Sequence, residues 1–455
     1  MIILLMLVLA IEIFLRVYPL VSFYWLGVDT FYHLTVARHT RKELRLPKNI
    51  PEFLYHGPHA YPPLLHMILA LMPHSLSKFV PLACDLANAA LVFGLSSFVD
   101  SGNLVQGLLA VVLYLSIPIN YIDSLSINPR PIGNILLTAS IFSLLLCSNQ
   151  TVPFIFVVLY GLMLLSHKMA VQVSWFVLGG LAISVPVLAG KIAVSVALAI
   201  ILTTFFTGGF YWKILKQHIG YLKFHVRFGD LSGRKAFPGP VALLRSNPLL
   251  LLAAVAVLLT LYHGASVEPI IASWAIMASL LAVFWRFGDA HRFLAFGSSA
   301  TAVIAALWCN NSLGPVLCTS ALCYGIWRQI DTLRKFAPPF VITHDLLSCF
   351  QFIRKQQQTM LLCLPLSYSY SAAYFARQTI LAGDASLRGL IKGFDLSRRI
   401  RTLQGLQETI RETGVSLVLV DHSIFCGSKD VFDTMGFITV HSAGRYSIFR
   451  RPPSG

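Results

Sequence analysis

Eleven stretches of this chain are apolar for long enough to leave few choices of fold. They lie near residues 2–24, 76–99, 104–121, 132–148, 151–166, 169–189, 191–211, 248–263, 267–285, 293–309 and 312–328. A bilayer offers backbone amides no hydrogen-bond partner, so a segment of about 17–25 apolar residues is satisfied there as a helix. Composition agrees: 56% of the 455 residues are hydrophobic and 12% charged, with mean hydropathy +0.71. Soluble domains carry roughly a quarter charged residues. The expected class is a polytopic α-helical membrane protein of about eleven spans, two of them divided only by Gly190 and Lys191.

Residues 1–20 have no basic leader and no small-residue cleavage site, and read as a first span rather than a removed signal. YPPLLHMILALMP (61–73) is too short to span and is bracketed by prolines, as a re-entrant or interfacial helix would be. Polar loops are expected at 25–60 and at 212–247, the latter starting as a basic amphipathic helix. From Phe336 onward the pattern is soluble. TMLLCLPLS (359–367) and GVSLVLVDHS (414–423) read as buried strands, and LSRRIRTLQGLQETIRETG (396–414) as one amphipathic helix with a C-cap glycine. GFITV and RYSIFR read as a closing hairpin. The expected division is 1–335, transmembrane, and 336–455, a small α/β domain.

Net charge is +16, from 35 basic and 19 acidic side chains, and it sits in loops. On a membrane protein that favours lipid headgroups or phosphorylated substrates over nucleic acid, for which no motif is present. The eight cysteines lack metal-ligand spacing, and most lie in apolar runs, as inert thiols do.

The densest polar cluster, GVDTFYHLTVARHTRKE (27–43), follows the first apolar stretch directly. An ionisable group at a membrane border costs several kcal/mol unless solvated, paired or functional. If 28–44 is helical, Asp29, Tyr32 and His33 share a face. Asp29 then reads as a general base or, with His33, as a metal ligand. The alternative is an N-capping aspartate paired with Arg38. Other polar groups invite the same two-sided reading. Asp85 lies inside an apolar helix, as a pathway carboxylate or as a partner of a neighbouring helix. Arg130, between prolines, faces a cavity or stiffens a turn. His167 and Lys168 touch phosphate or sugar, or merely connect two spans. His59, Tyr61 and His66 bond sugar hydroxyls or pack. The basic loop 212–247 is an anion-attracting lid or a patch on acidic lipid.

GVDTFYHLTVAR followed some thirty residues later by YPPLLHMILALMP resembles the start of GT-C glycosyltransferases. That superfamily includes the catalytic subunit of oligosaccharyltransferase, protein O-mannosyltransferases and the aminoarabinose transferase of lipid A. The matching positions are Asp29, Tyr32, His33, Ala37, Arg38, Tyr61, Pro62 and Pro63. The resemblance implies transfer of a hexose or pentose from a polyprenyl-phosphate donor to an acceptor, with Asp29 as base. It implies substrate contacts from Tyr32, His33, Arg38, His59 and Tyr61, and a lipid-phosphate site at Arg286 or Arg292 between late spans. Asp85, Arg130, His167 and Lys168 join these as candidate substrate-binding residues. Thr30 follows Asp29 where several relatives carry a second acid, so the acidic metal-binding pair is absent; a divalent Mg or Mn, held by Asp29 and His33, is the optional cofactor.

Two other classes compete: a transporter or lipid flippase, against which the lack of internal repeats speaks, and an inactive GT-C-like scaffold. Eleven spans and a cytoplasmic N-terminus would put loop 25–60 and the C-terminal domain outside the plasma membrane. The positive-inside rule argues the reverse, since those segments hold most of the Lys and Arg; the resemblance outweighs it here.

Overall fold

Each of the eleven apolar stretches contains a helix in the computed structural model, which describes residues 2–23, 25–146, 152–228, 239–263, 269–284, 290–310, 313–336, 340–425 and 428–452. The chain divides into two units, Met1–Ser22 with Lys78–Lys335, and Phe23–Ser77 with Phe336–Gly455.

The first unit is helical throughout. It holds α1 (Ile2–Ser22), then α4 (Val80–Val99), α5 (Leu104–Leu115), α6 (Pro118–Leu125), α7 (Arg130–Leu146), α8 (Phe154–Leu164) and α9 (Lys168–Ser184). It continues with α10 (Pro186–Phe206), α11 (Phe210–Phe228), α12 (Pro240–Ser246), α13 (Leu249–His263), α14 (Pro269–Phe284), α15 (Leu294–Trp308) and α16 (Gly314–Arg334). α2 and α3 belong to the second unit.

Helix length does not confirm the expected span count. Among the described residues, three helical segments are long and apolar enough to cross a membrane: Ile2–Ser22, His74–Val99 and Pro186–Phe206. The pair α5 and α6, bent by 68°, makes a fourth if it is one broken span. Five further apolar helices have 10–17 residues. By length and composition alone three or four spans are evident among the described residues, and the expected eleven are not confirmed. The break between α9 and α10 falls at Pro186, which takes the first helical turn where its missing N–H costs nothing, and Gly190 and Lys191 continue α10.

The interior of this unit contains a charge network that hydropathy hides. Arg16 of α1 is fully buried and pairs with Glu12 one turn earlier at 2.8 Å and with Asp85 of α4 at 3.0 Å. Its Nη2 donates to the Leu115 carbonyl at the end of α5, and Gln329 of α16 donates to the same oxygen at 2.9 Å. Tyr114 donates to the other oxygen of Asp85 at 2.7 Å, and Asn88 bonds both Tyr114 and Ser299 of α15. Five helices thus meet at one polar knot in an otherwise apolar bundle. Asp85 is a member of that knot.

The second unit is a sheet covered by helices. Its strands are β1 (Phe53–Tyr55), β2 (Met360–Leu364), β3 (Thr379–Gly383), β4 (Leu417–Asp421), β5 (Ile438–Ala443) and β6 (Tyr446–Arg450), in the order β1-β3-β2-β4-β6-β5. The first four run parallel, and β6 and β5 close the sheet antiparallel as the expected hairpin. Continuous apolar runs such as LVLVD suit strands buried on both faces, and all five residues of β4 are buried. Leu396, Leu406, Ile410 and Phe432 pack on Leu362, Leu364, Val418 and Val420. Polar β5 forms one edge, as exposed edges require.

The helices of this unit are α2 (Thr30–Glu43), α3 (Leu64–Leu71), α17 (His344–Arg354), α18 (Ser369–Phe375), α19 (Leu387–Arg399), α20 (Leu403–Thr413) and α21 (Ser428–Thr434). The single helix expected over 396–414 is two. Thr402 caps α20 by accepting from the Gly405 amide at 3.1 Å, and Gly414 ends it at φ 68° as expected. The segment 61–73 yields α3, at eight residues too short to span. Hydropathy alone leaves loop 25–60 with the spans, but its backbone bonds are with the sheet: the Ile380 amide donates to Glu52 at 2.8 Å and the Asp384 amide to Tyr55 at 3.1 Å.

The buried knot makes a strong prediction. Arg16→Met leaves two buried carboxylates unpaired and should cost about 3–5 kcal/mol. Adding Glu12→Gln and Asp85→Asn should recover most of that loss. Thermal unfolding of the purified protein reads both; a triple variant no more stable than Arg16→Met would show that charge pairing is not what the knot contributes.

Candidate active site

α2 begins where the chain leaves a turn at Gly27, whose amide donates to Phe340 at 2.8 Å. Asp29 occupies the N-cap position, and its side chain makes no capping bond. The first turn is closed instead by the His33 amide donating to the Asp29 carbonyl at 3.2 Å and by the Thr30 hydroxyl donating to the Leu26 carbonyl at 2.5 Å. The Asp29 carboxylate is exposed and forms no hydrogen bond or ion pair among the described residues. Both structural alternatives for it, the cap and the pair with Arg38, are therefore not the arrangement found.

Arg38 is committed elsewhere. Its guanidinium donates to Glu52 at 2.8 Å and to the Tyr374 carbonyl of α18 at 2.9 Å, and lies over the Tyr374 ring. His39 approaches the same carboxylate at 2.8 Å. Burial alone would raise the pKa of Glu52, but the His39 contacts and the Arg38 charge hold it below the ordinary carboxylate range. Arg41 caps α3 by donating to the carbonyls of Leu69, Ala70 and Met72. The basic turn of α2 thus fastens the loop to its neighbours.

One turn into α2 the side chains point into a nest of rings. Tyr32 and His33 meet His59 and Tyr61 of the loop, His66 of α3 and Tyr370 of α18. His33 Nδ1 lies 2.9 Å from His66 Nε2, and the Tyr32 hydroxyl lies 3.3 Å from His59 Nδ1. Ring centroids stand 5.1 Å apart for His33 and His66, 5.4 Å for His33 and Tyr61, and 5.5 Å for His59 and His66. His66 is fully buried, and its Nδ1 has no hydrogen-bond partner among the described residues. Burial first, then the imidazoles of His33 and His59, hold its pKa well below the ordinary range. Tyr370 is pushed the other way, by burial and then by the carboxylates of Asp29 and Asp384.

This arrangement can hold a neutral imidazole pair beside an open carboxylate. It does not gather metal ligands: among the described residues no group of three His, Cys, Asp or Glu is placed to hold an ion. Of the further acids in the loop, Glu52 is taken by Arg38 and His39, and Glu43 pairs with Arg45 at 3.3 Å. The residues present do not fit the optional metal.

The remaining candidates lie in the helical unit. Asp85 bonds Arg16 and Tyr114. Arg130 opens α7 and pairs with Asp123 at 2.6 Å. His167 stacks on Phe296 with centroids 6.0 Å apart, and Lys168 lies 4.0 Å over the Tyr221 ring of the amphipathic α11. Arg292 is half-buried in the turn before α15. Arg286 falls outside the described residues.

Glu12, Arg16 and Tyr370 were not legible as site or network members. Glu12 and Arg16 carried a signal, opposite charges one turn apart in an apolar helix; Tyr370 carried none, since its contact with α2 is made across most of the chain.

Comparison with solved structures bears on the whole architecture. The chain is similar to the archaeal oligosaccharyltransferase AglB from Archaeoglobus fulgidus, in complex with an inhibitory peptide and a dolichol-phosphate. The TM-score is 0.62 at 12% identity, over 94% of this chain and 70% of that one. The same enzyme in complex with Zn and sulfate gives 0.63 at 12%, over 95% and 69%. ArnT from Cupriavidus metallidurans, bound to undecaprenyl phosphate, gives 0.62 at 8%, over 99% and 98%. The fold is that of the GT-C glycosyltransferases. No protein-family model and no curated protein sequence matches the chain. Three helices of this fold, among the described residues, are long and apolar enough to cross a membrane.

The nest predicts a pH response. His66 titrates below its ordinary value of 6.5, so the unfolded chain binds the additional proton. Stability is therefore full above pH 6.5 and falls as the pH drops below it. The limiting slope from one such group is about 1.4 kcal/mol per pH unit. Unfolding midpoints measured from pH 7.5 to 5.5 should fall, and His66→Gln should flatten the decline; an unchanged slope would place the proton uptake elsewhere.

Proposed function

We propose that this chain is a membrane glycosyltransferase that moves a sugar from a polyprenyl-phosphate donor to an acceptor, with Asp29 as general base. The observation that carries this reading is the exposed Asp29 carboxylate, unused by its own helix, at the first turn of α2 in a chain with a GT-C fold. Two proteins of that fold are seen with dolichol-phosphate and undecaprenyl phosphate, which supports the donor class.

In the proposed reaction Asp29 accepts the proton of an acceptor hydroxyl or amide as that group attacks the anomeric carbon from the face opposite the leaving group. The bond to the phosphate oxygen breaks with inversion, and the polyprenyl phosphate departs as an anion. The departing phosphate needs cations that strengthen their hold as its charge grows. Asp85 and Arg130 are engaged by Arg16 and Asp123. The resemblance gives the phosphate to Arg286 or Arg292, with the His167–Lys168 pair as further candidates for phosphate or sugar. Tyr32, His33, His59 and Tyr61 line the sugar side, with His66 setting the tautomer of His33 through their shared bond. Loop 25–60 and the C-terminal unit lie on the extracytoplasmic side of the plasma membrane in this proposal.

Asp29→Asn should lower transfer from a labelled polyprenyl-phosphate sugar by about 10²–10⁴-fold with expression and unfolding midpoint unchanged. Undiminished transfer would remove Asp29 as base. Absence of transfer by the parent chain with any such donor would favour a scaffold or a transporter. Orientation has its own test: Glu43→Cys, in the exposed end of α2, should react with an impermeant thiol reagent from outside intact cells, and labelling only after permeabilisation would invert the topology.

A further inference from the structure

The sheet unit carries a cleft that the proposed transfer does not use. Its volume is about 560 Å³, and it is lined by Tyr55, Lys392, Asp395, Leu396, Arg398 and Arg399. Tyr55 ends β1, the edge strand donated by the first loop; the other five sit on α19. Two close approaches fix this wall. A Cβ on Gly383 would lie 1.8 Å from the Gly389 carbonyl oxygen, so β3 and α19 touch backbone to backbone. Ser386 caps α19 by accepting from the Gly389 amide at 3.0 Å. Leu396, buried, makes the apolar floor, while Lys392, Asp395, Arg398 and Arg399 are exposed around it.

The charge of this wall is one-sided. Between Leu387 and Arg401 stand Arg388, Lys392, Arg398, Arg399 and Arg401 against the single acid Asp395. Arg399 is held by Glu412 of α20, with its Nη2 2.8 and 2.9 Å from the two carboxylate oxygens. Lys392 and Arg398 form no ion pair among the described residues; Arg398 lies 5.8 Å over the Phe394 ring, which leaves its donors directed outward. A helix face that balanced its own charge would alternate signs at four-residue spacing. This one instead presents a lysine and a fork-shaped donor across a concave surface of the size that takes a small ligand.

We infer that this cleft binds a phosphate oxyanion, carried either by an anionic lipid headgroup or by a soluble phosphorylated compound. Arg398 supplies paired N–H donors to the phosphoryl oxygens, Lys392 a point charge opposite, and the Tyr55 ring an apolar wall for whatever bears the phosphate. Asp395 opposes the ligand and limits its affinity. The inference stands apart from the assignment of Asp29, since no residue of the cleft belongs to that machinery.

The test is titration of the full chain with inorganic pyrophosphate in nanodiscs of phosphatidylcholine, read by calorimetry at low salt. Saturable binding should weaken at least tenfold in Lys392→Gln/Arg398→Gln and tighten in Asp395→Asn, with unfolding midpoints unchanged. Opposite shifts in two exposed variants separate a binding effect from a folding one. Nanodiscs rich in phosphatidylglycerol distinguish the sources: weaker pyrophosphate binding there marks the lipid headgroup as occupant, and unchanged binding marks a soluble phosphate. Absence of saturable binding, or equal affinity in parent and double variant, would overturn the inference; in the latter case the pyrophosphate sits at another site, such as that proposed for the donor phosphate.

Discussion

Three residues, Phe53–Tyr55, join the first loop to a sheet whose other strands come from the far end of the chain. Their parallel pairing with Thr379–Gly383 turns a loop between two membrane-border helices into the edge of an α/β unit. Everything chemically distinctive about loop 25–60 depends on that edge. With β1 anchored, Glu52 is fixed beside Arg38 and His39, and Arg38 reaches the Tyr374 carbonyl. α2 is thereby held against α18, Tyr32 meets Tyr370 with centroids 5.5 Å apart, and Asp29 is presented at the start of a rigid helix. The entropy of placing that carboxylate is settled by folding.

The two units solve opposite solvation problems with related means. In the helical unit the polar knot around Arg16 works because each nitrogen of its guanidinium finds an acceptor: two carboxylates and the buried Leu115 carbonyl at the end of α5. An arginine in such surroundings is tolerable only when so saturated, and it then dictates which helices meet. In the sheet unit His66 is kept uncharged by burial and then by the neighbouring imidazoles of His33 and His59.

Much of this was legible in the chain. Apolar length fixed the class, the YPP element and the GVDTFYHLTVAR run pointed to the GT-C fold, and the closing hairpin and the strands at 360–364 and 417–421 follow from short apolar runs bounded by turn residues. What could not be read was anything that depends on partners distant in sequence. PEFLY looks like loop because three residues give no periodicity, and it is a strand only because β3 offers an edge. Thr402 interrupts an otherwise continuous amphipathic pattern, and capping wins over helix continuation there. The span count is not confirmed for a different reason: hydropathy registers apolar residues in short helices as readily as those in helices of spanning length. Asp85 was correctly seen as costly, and its partner Arg16 was hidden by an otherwise greasy first helix.

A sheet assembled from both ends of a polypeptide also imposes an order on synthesis. The first loop leaves the ribosome long before the segment that will flank its strand, so β1 must wait, unpaired, while the intervening helices are made and inserted. A truncated product therefore carries the acid of α2 without the scaffold that aims it. Only once Thr379–Gly383 has been made can Phe53–Tyr55 find its place in the sheet.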